Sequence, residues 1–101
     1  MEFIYMLKLI PRLHNEENWT PEDEGIVQRH FNRLKEWTDS GVVILAGRTL
    51  NEEKNAFGIV VFEADGEDQA RSFMEDDPVV KEGIMMAELF PYRVALLRVS
   101  Q

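Results

Sequence analysis

The sequence predicts an α+β fold in which a single antiparallel sheet carries two helices on one face, with elements in the order β-α-β-β-α-β. Three observations support this. Runs of β-branched, aromatic and aliphatic residues occur at 2–10, 42–46, 57–62 and 84–99. Helical patterns lie between the first and second runs and between the third and fourth. The polar stretch 51–55 lies between the two middle runs and suits a hairpin connection.

Residues 2–10 read Glu-Phe-Ile-Tyr-Met-Leu-Lys-Leu-Ile and place apolar side chains on both faces of a strand. That is the pattern of a central strand covered by helices on one side and by another subunit on the other. Residues 11–19 are polar and irregular and read as a loop. Thr20-Pro21-Glu22-Asp23 then opens a helix. Thr20 caps the exposed amides, Pro21 suits the first helical position, and the two acids favour the positive end of the helix dipole. Val27, Phe31, Leu34 and Thr38 form one stripe, with His30 and Trp37 beside it, and Gly41 ends the helix.

After the hairpin, Asp65-Gly66 closes the third strand, and Asp65 is placed to cap a helix over 66–74 that buries Ala70, Phe73 and Met74. Asp77-Pro78 begins a second short helical turn that ends near Gly83. Residues 84–89 and 92–99 supply the last strand. Pro91 lies between them and implies a bulge or a sheet edge. This order is the split β-α-β, or ferredoxin-like, arrangement. The sheet face away from the helices is expected to show Tyr5 and side chains from 57–62 and 85–89. A second copy of the chain is the simplest cover, so a homodimer is expected.

A chain of 101 residues suits one domain, 1–101, with no room for separate cofactor and substrate domains. The formal charge of −8, from 19 acids and 11 bases, opposes a phosphate backbone or an anionic membrane surface, and no basic stripe offsets it. No nucleic-acid or membrane partner is therefore expected. There is no cysteine, which excludes disulfides and thiolate chemistry. Residues 1–10 lack the basic start of a signal peptide, so the cytoplasm is the expected location. Two widely separated histidines make no spaced metal-ligand set, and no glycine-rich phosphate loop or nucleophile elbow occurs, so neither metal nor cofactor is expected.

Several residues have both a structural and a chemical reading. His30 suits the edge of a core, or an acid–base group, since imidazole titrates near neutral pH. Asp77 suits the cap of the turn that Pro78 opens, and its second oxygen remains free for an imidazole; Asp76 is its neighbour and possible substitute. Arg48, at the end of the second strand, has the planar fork that grips an anion, and Gly47 beside it allows close approach. Tyr5 and Trp37 either line a cavity or fill the core. His14, in the polar stretch, reads as an exposed side chain.

The segments Arg29-His30-Phe31-Asn32-Arg33-Leu34, Leu45-Ala46-Gly47, Met74 to Gly83 around Asp77-Pro78, and Phe90-Pro91-Tyr92 together resemble the YciI-like (YCII-related) family, in order and over nearly the whole chain. The resemblance implies a dimeric α+β barrel with a histidine–aspartate pair, His30 and Asp77 here, in a pocket near the subunit boundary. It also implies lyase or dehydrohalogenase chemistry on a small organic molecule, and an isomerase reaction, which likewise needs no redox cofactor, suits the same pair. Arg48, Gly47, Tyr5 and Trp37 are the expected contacts to an anionic substrate, with no cofactor. A non-catalytic ligand-binding or regulatory module on the same fold is the alternative. The chain departs from the family pattern twice: Arg48-Thr49 stands where proline often follows the Ala-Gly, and Val79 stands where an aromatic usually follows Asp-Pro.

Overall fold

A computed structural model describes residues 1–99. Its elements are β1 (Glu2–Leu9), α1 (Pro21–Asp39), β2 (Val43–Arg48), β3 (Gly58–Glu63), α2 (Glu67–Glu75), α3 (Pro78–Lys81) and β4 (Met85–Tyr92). The strands form one sheet in the order β2-β3-β1-β4, with every neighbouring pair antiparallel. This is the expected ferredoxin-like topology. Among the described residues no helix is long and apolar enough to cross a membrane.

Local chemistry explains the limits of α1. Thr20 Oγ1 accepts from the Asp23 amide at 3.1 Å, and Asp23 Oδ2 accepts from the Thr20 amide at 3.0 Å, a reciprocal capping box. Arg12 grips both oxygens of Asp23 at 2.9 Å. Those bonds, the Arg12 contact first, hold the Asp23 carboxyl far below the usual carboxylate range. At the other end Gly41 adopts φ +91°, and the Val42 amide reaches back to the Trp37 carbonyl at 2.9 Å, which satisfies the last helical turn.

The segment expected to be a plain loop instead forms two 3₁₀ turns, Pro11–His14 and Glu16–Asn18. Leu13 is fully buried there, and Arg12 ties the segment to the start of α1. His14 is half-buried rather than exposed, with Nε2 3.3 Å from the Leu9 carbonyl. Asp65 does not cap α2: Gly66 holds the cap position without a side-chain bond, and the Asp65 amide donates to Gln69. The last strand runs unbroken through Pro91 to Tyr92, while residues 93–99 have no regular structure. Pro91 is tolerated because β4 is an edge strand.

Register decides which face each side chain meets. Phe3, Tyr5 and Leu7 pair with Phe62, Val60 and Gly58 on the helix side, where they join Ile26, Leu34, Ala70, Met74 and Val79 in the core. Phe62 and Phe73 stack at 4.6 Å between centroids, and Tyr5 meets Phe62 edge-on at 5.6 Å. Tyr5 therefore belongs to the helix face, not to the open face where it was expected. The opposite face carries Ile4, Met6, Ile59 and Val61, with Met86, Phe90 and Tyr92 from β4. Leu45, Met86, Phe90 and Tyr92 are each more than two-fifths exposed there.

Candidate active site

The short helix α3 fixes the centre of the site. Proline disfavours the helical region for the residue before it, so Asp77 takes an extended conformation (φ −63°, ψ 126°) and becomes the cap. Its carboxylate is fully buried and takes three bonds. Oδ1 accepts from the Val79 amide at 3.2 Å and lies 2.6 Å from Nδ1 of His30; Oδ2 accepts from the Tyr5 hydroxyl at 2.6 Å. Three separate elements, α1, β1 and α3, thus converge on one carboxylate.

Electrostatics assigns the donors. Burial, then the charge of Asp77 and the bond to it, push the Tyr5 phenol well above its ordinary value, so the hydroxyl keeps its proton. Arg33 acts on Tyr5 in the opposite sense and is outweighed. A carboxylate is only an acceptor, so its contact with His30 requires a proton on Nδ1. In the neutral ring, Nε2 then carries the free lone pair. The His30 side chain is 15% exposed and lines a cleft, and its Nε2 has no partner among the described residues.

The cleft encloses about 700 Å³ between α1 and the adjoining ends of β2 and β3. Its α1 wall is Val27, Phe31, Leu34 and Thr38, the stripe that periodicity marks as core-facing. Ile26 and Leu34 enter the core, whereas Phe31 is 61% exposed because no element covers that side of the helix. A Cβ placed at Gly58 would lie 3.4 Å from the Gly47 carbonyl, while one at Gly47 meets nothing within 4 Å. Gly47 lines the cleft as expected, but neither position is short of room for a side chain, since the contact at Gly58 is an ordinary van der Waals distance.

Arg48 also lies on the cleft, with its guanidinium already engaged: Nη2 meets Glu53 at 2.9 Å and Nε donates to the Thr49 carbonyl at 3.0 Å. Tyr5 and Trp37 are not in the lining. Tyr5 is fully buried and is joined to His30 through Asp77. Trp37 projects from α1 toward α2, edge-on to Phe73 at 5.6 Å, one position around the helix from cleft-lining Thr38. Asp76 is exposed and takes no part. Val79 is fully buried in the core, so its departure from the family aromatic does not alter the cleft wall directly.

Arg33 is a member of this cluster that sequence reading missed as a site residue. It lies one helical turn beyond His30, donates to the Phe73 carbonyl at 2.9 Å and covers the Phe73 ring at 4.4 Å. Its Nη1 is buried without a partner among the described residues. The available signal was its i, i+3 spacing from His30, which puts both on neighbouring faces of the helix.

A model of the YCII-related domain matches residues 3–92. Among solved structures, the chain is similar to the 5-chloro-2-hydroxyhydroquinone dehydrochlorinase of Burkholderia phenoliruptrix AC1100, in complex with 2,5-dihydroxybenzoquinone. The two superpose with a TM-score of 0.62 at 19% identity, covering 92% of this chain and 94% of that one, a likeness of fold. No curated protein sequence matches the chain significantly.

Proposed function

The chain belongs to the YCII-related domain family, and from that premise we propose that it is a small-molecule enzyme in which His30 moves a proton and Asp77 orients it. The observation that carries this reading is the 2.6 Å contact of Nδ1 with a buried carboxylate on a histidine that also lines a cleft. Such a pair suits lyase, dehydrohalogenase or isomerase chemistry. In a dehydrohalogenation Nε2 takes the substrate proton, the electron pair left behind forms the new π bond, and halide departs with the pair of the broken carbon–halogen bond. In an isomerisation the same nitrogen returns the proton to a different atom.

The structural neighbour is named a dehydrochlorinase and holds a small quinone, which supports a ring-shaped organic substrate here. A ligand-binding module without catalysis would need the cleft but not the buried Tyr5–Asp77–His30 chain, so that chain favours the enzyme. The test is a panel of halogenated and hydroxylated ring compounds, read by halide release and by deuterium exchange from solvent. His30→Ala should lower kcat on any compound turned over by about 100-fold or more. Unchanged turnover in that variant would reject the reading.

We propose also that the chain works as a homodimer, with the open sheet face covered by a second copy. Leu45, Met86, Phe90 and Tyr92 make that face apolar and exposed in the single chain.

A further inference from the structure

The cleft lining constrains the charge its occupant can carry. Building on the proton-transfer reading, we infer that the substrate enters uncharged, as an apolar ring compound bearing one acidic proton, rather than as an anion. Leu7, Leu9, Val27, Phe31, Leu34 and Val60, all on the helix side of the sheet or on α1, give the walls their apolar character. The polar lining groups already have partners within the protein. Thr38 donates its hydroxyl to the Leu34 carbonyl at 2.7 Å, Lys35 holds Asp39 at 3.1 Å, and Arg48 holds Glu53 at 2.9 Å.

Each cation on the cleft thus comes with its own carboxylate, and the net charge of each pair is zero. An incoming anion would either displace Glu53 from Nη2 of Arg48 or bind at Nη1 beside the Glu53 carboxylate, and in both cases would leave water for apolar walls. The chain's formal charge of −8 opposes anions at longer range as well. An uncharged acid meets none of these penalties and finds Nε2 of His30 as an available acceptor. Charge then appears only once the proton has moved, with the imidazolium held against Asp77. A cleft of about 700 Å³ lies within the range of about 300–1,000 Å³ usual for small-ligand sites.

Two fluorescent probes isolate the charge: N-phenyl-1-naphthylamine and 1-anilinonaphthalene-8-sulfonate share one ring skeleton and differ by a single sulfonate. In fluorescence titrations of the full chain, the neutral probe should bind about 10-fold or more tightly than the sulfonate. Ala46→Trp, which fills the cleft from an exposed position on β2, should abolish neutral-probe binding. Val27→Trp does the same from the facing wall if the first variant fails to fold. Glu53→Gln, which releases Arg48, should raise the sulfonate's affinity several-fold and leave the neutral probe unaffected. Equal or tighter binding of the sulfonate by the wild-type chain would overturn the inference. So would neutral-probe binding that survives a folded cleft-filled variant, or no binding of either probe. The readout needs no turnover. Loss of charge selection therefore rejects this inference alone, whereas turnover untouched by His30→Ala rejects the proton-transfer reading and leaves charge selection standing.

Discussion

Tyr5 and Asp77, 72 residues apart in the chain, share a 2.6 Å hydrogen bond in the fully buried interior. The phenol stops Oδ2 from being left unsatisfied and leaves Oδ1 to face the imidazole. The sheet core and the candidate acid–base pair are therefore one packed unit: β1 sets the height of Asp77, and Asp77 sets the orientation of His30.

Tyr5→Phe keeps the ring among Phe62 and Phe73 and removes only the donor. It should lower unfolding free energy by about 1–3 kcal/mol, the cost of a buried acceptor losing its partner, as read by denaturant unfolding. The raised phenol pKa has a sign as well. Its contribution to stability is complete below the unfolded-state value of about 10 and is lost as pH rises beyond it. Wild type should lose stability on the alkaline side more steeply than the phenylalanine variant, and matching slopes would show that Tyr5 is not held neutral by the fold.

Asp23 governs the acid side. Its carboxyl is held far below the usual range by Arg12 and Thr20, so its contribution is present above the unfolded-state value of about 4 and is lost as pH falls. Thermal unfolding followed between neutral pH and pH 3 should show a steep fall in Tm for wild type. Arg12→Met should flatten that fall while leaving α1 formed. An unchanged slope would remove the Arg12–Asp23 pair from the account.

The start and end of α1 were legible because capping chemistry is local: Thr20-Pro21 and Gly41 sit next to the bonds they make. Asp77 was legible as a cap for the same reason, and as a site residue through the Asp-Pro resemblance. The face that Tyr5 occupies is not legible in the sequence because β1 is apolar on both faces, and alternation alone does not say which side the helices cover. The stripe Val27–Phe31–Leu34–Thr38 was found correctly as an apolar face, but periodicity does not reveal that much of it fronts a cleft. Arg33 escaped because its partner, the Phe73 carbonyl, lies 40 residues away.

The open sheet face provides a test of assembly. Phe90 pairs with Ile4 in register and is 45% exposed in the single chain. Phe90→Glu places a charge at the middle of the proposed interface and should convert a dimer to a folded monomer in light scattering at micromolar concentration. A wild-type chain that is monomeric under those conditions would reject the dimer across this face.

The central claim is that buried Asp77 holds His30 with its proton on Nδ1, leaving Nε2 as the base in the cleft. Long-range proton–nitrogen correlation of the imidazole reads this directly, and His14→Gln, outside the cleft lining, leaves a single histidine to observe. In the neutral ring the account predicts a protonated Nδ1 and a bare Nε2. Asp77→Asn, with its amide turned toward the ring, should shift the population toward the Nε2–H form. A wild-type His30 found protonated on Nε2, with Nδ1 bare, would contradict the account.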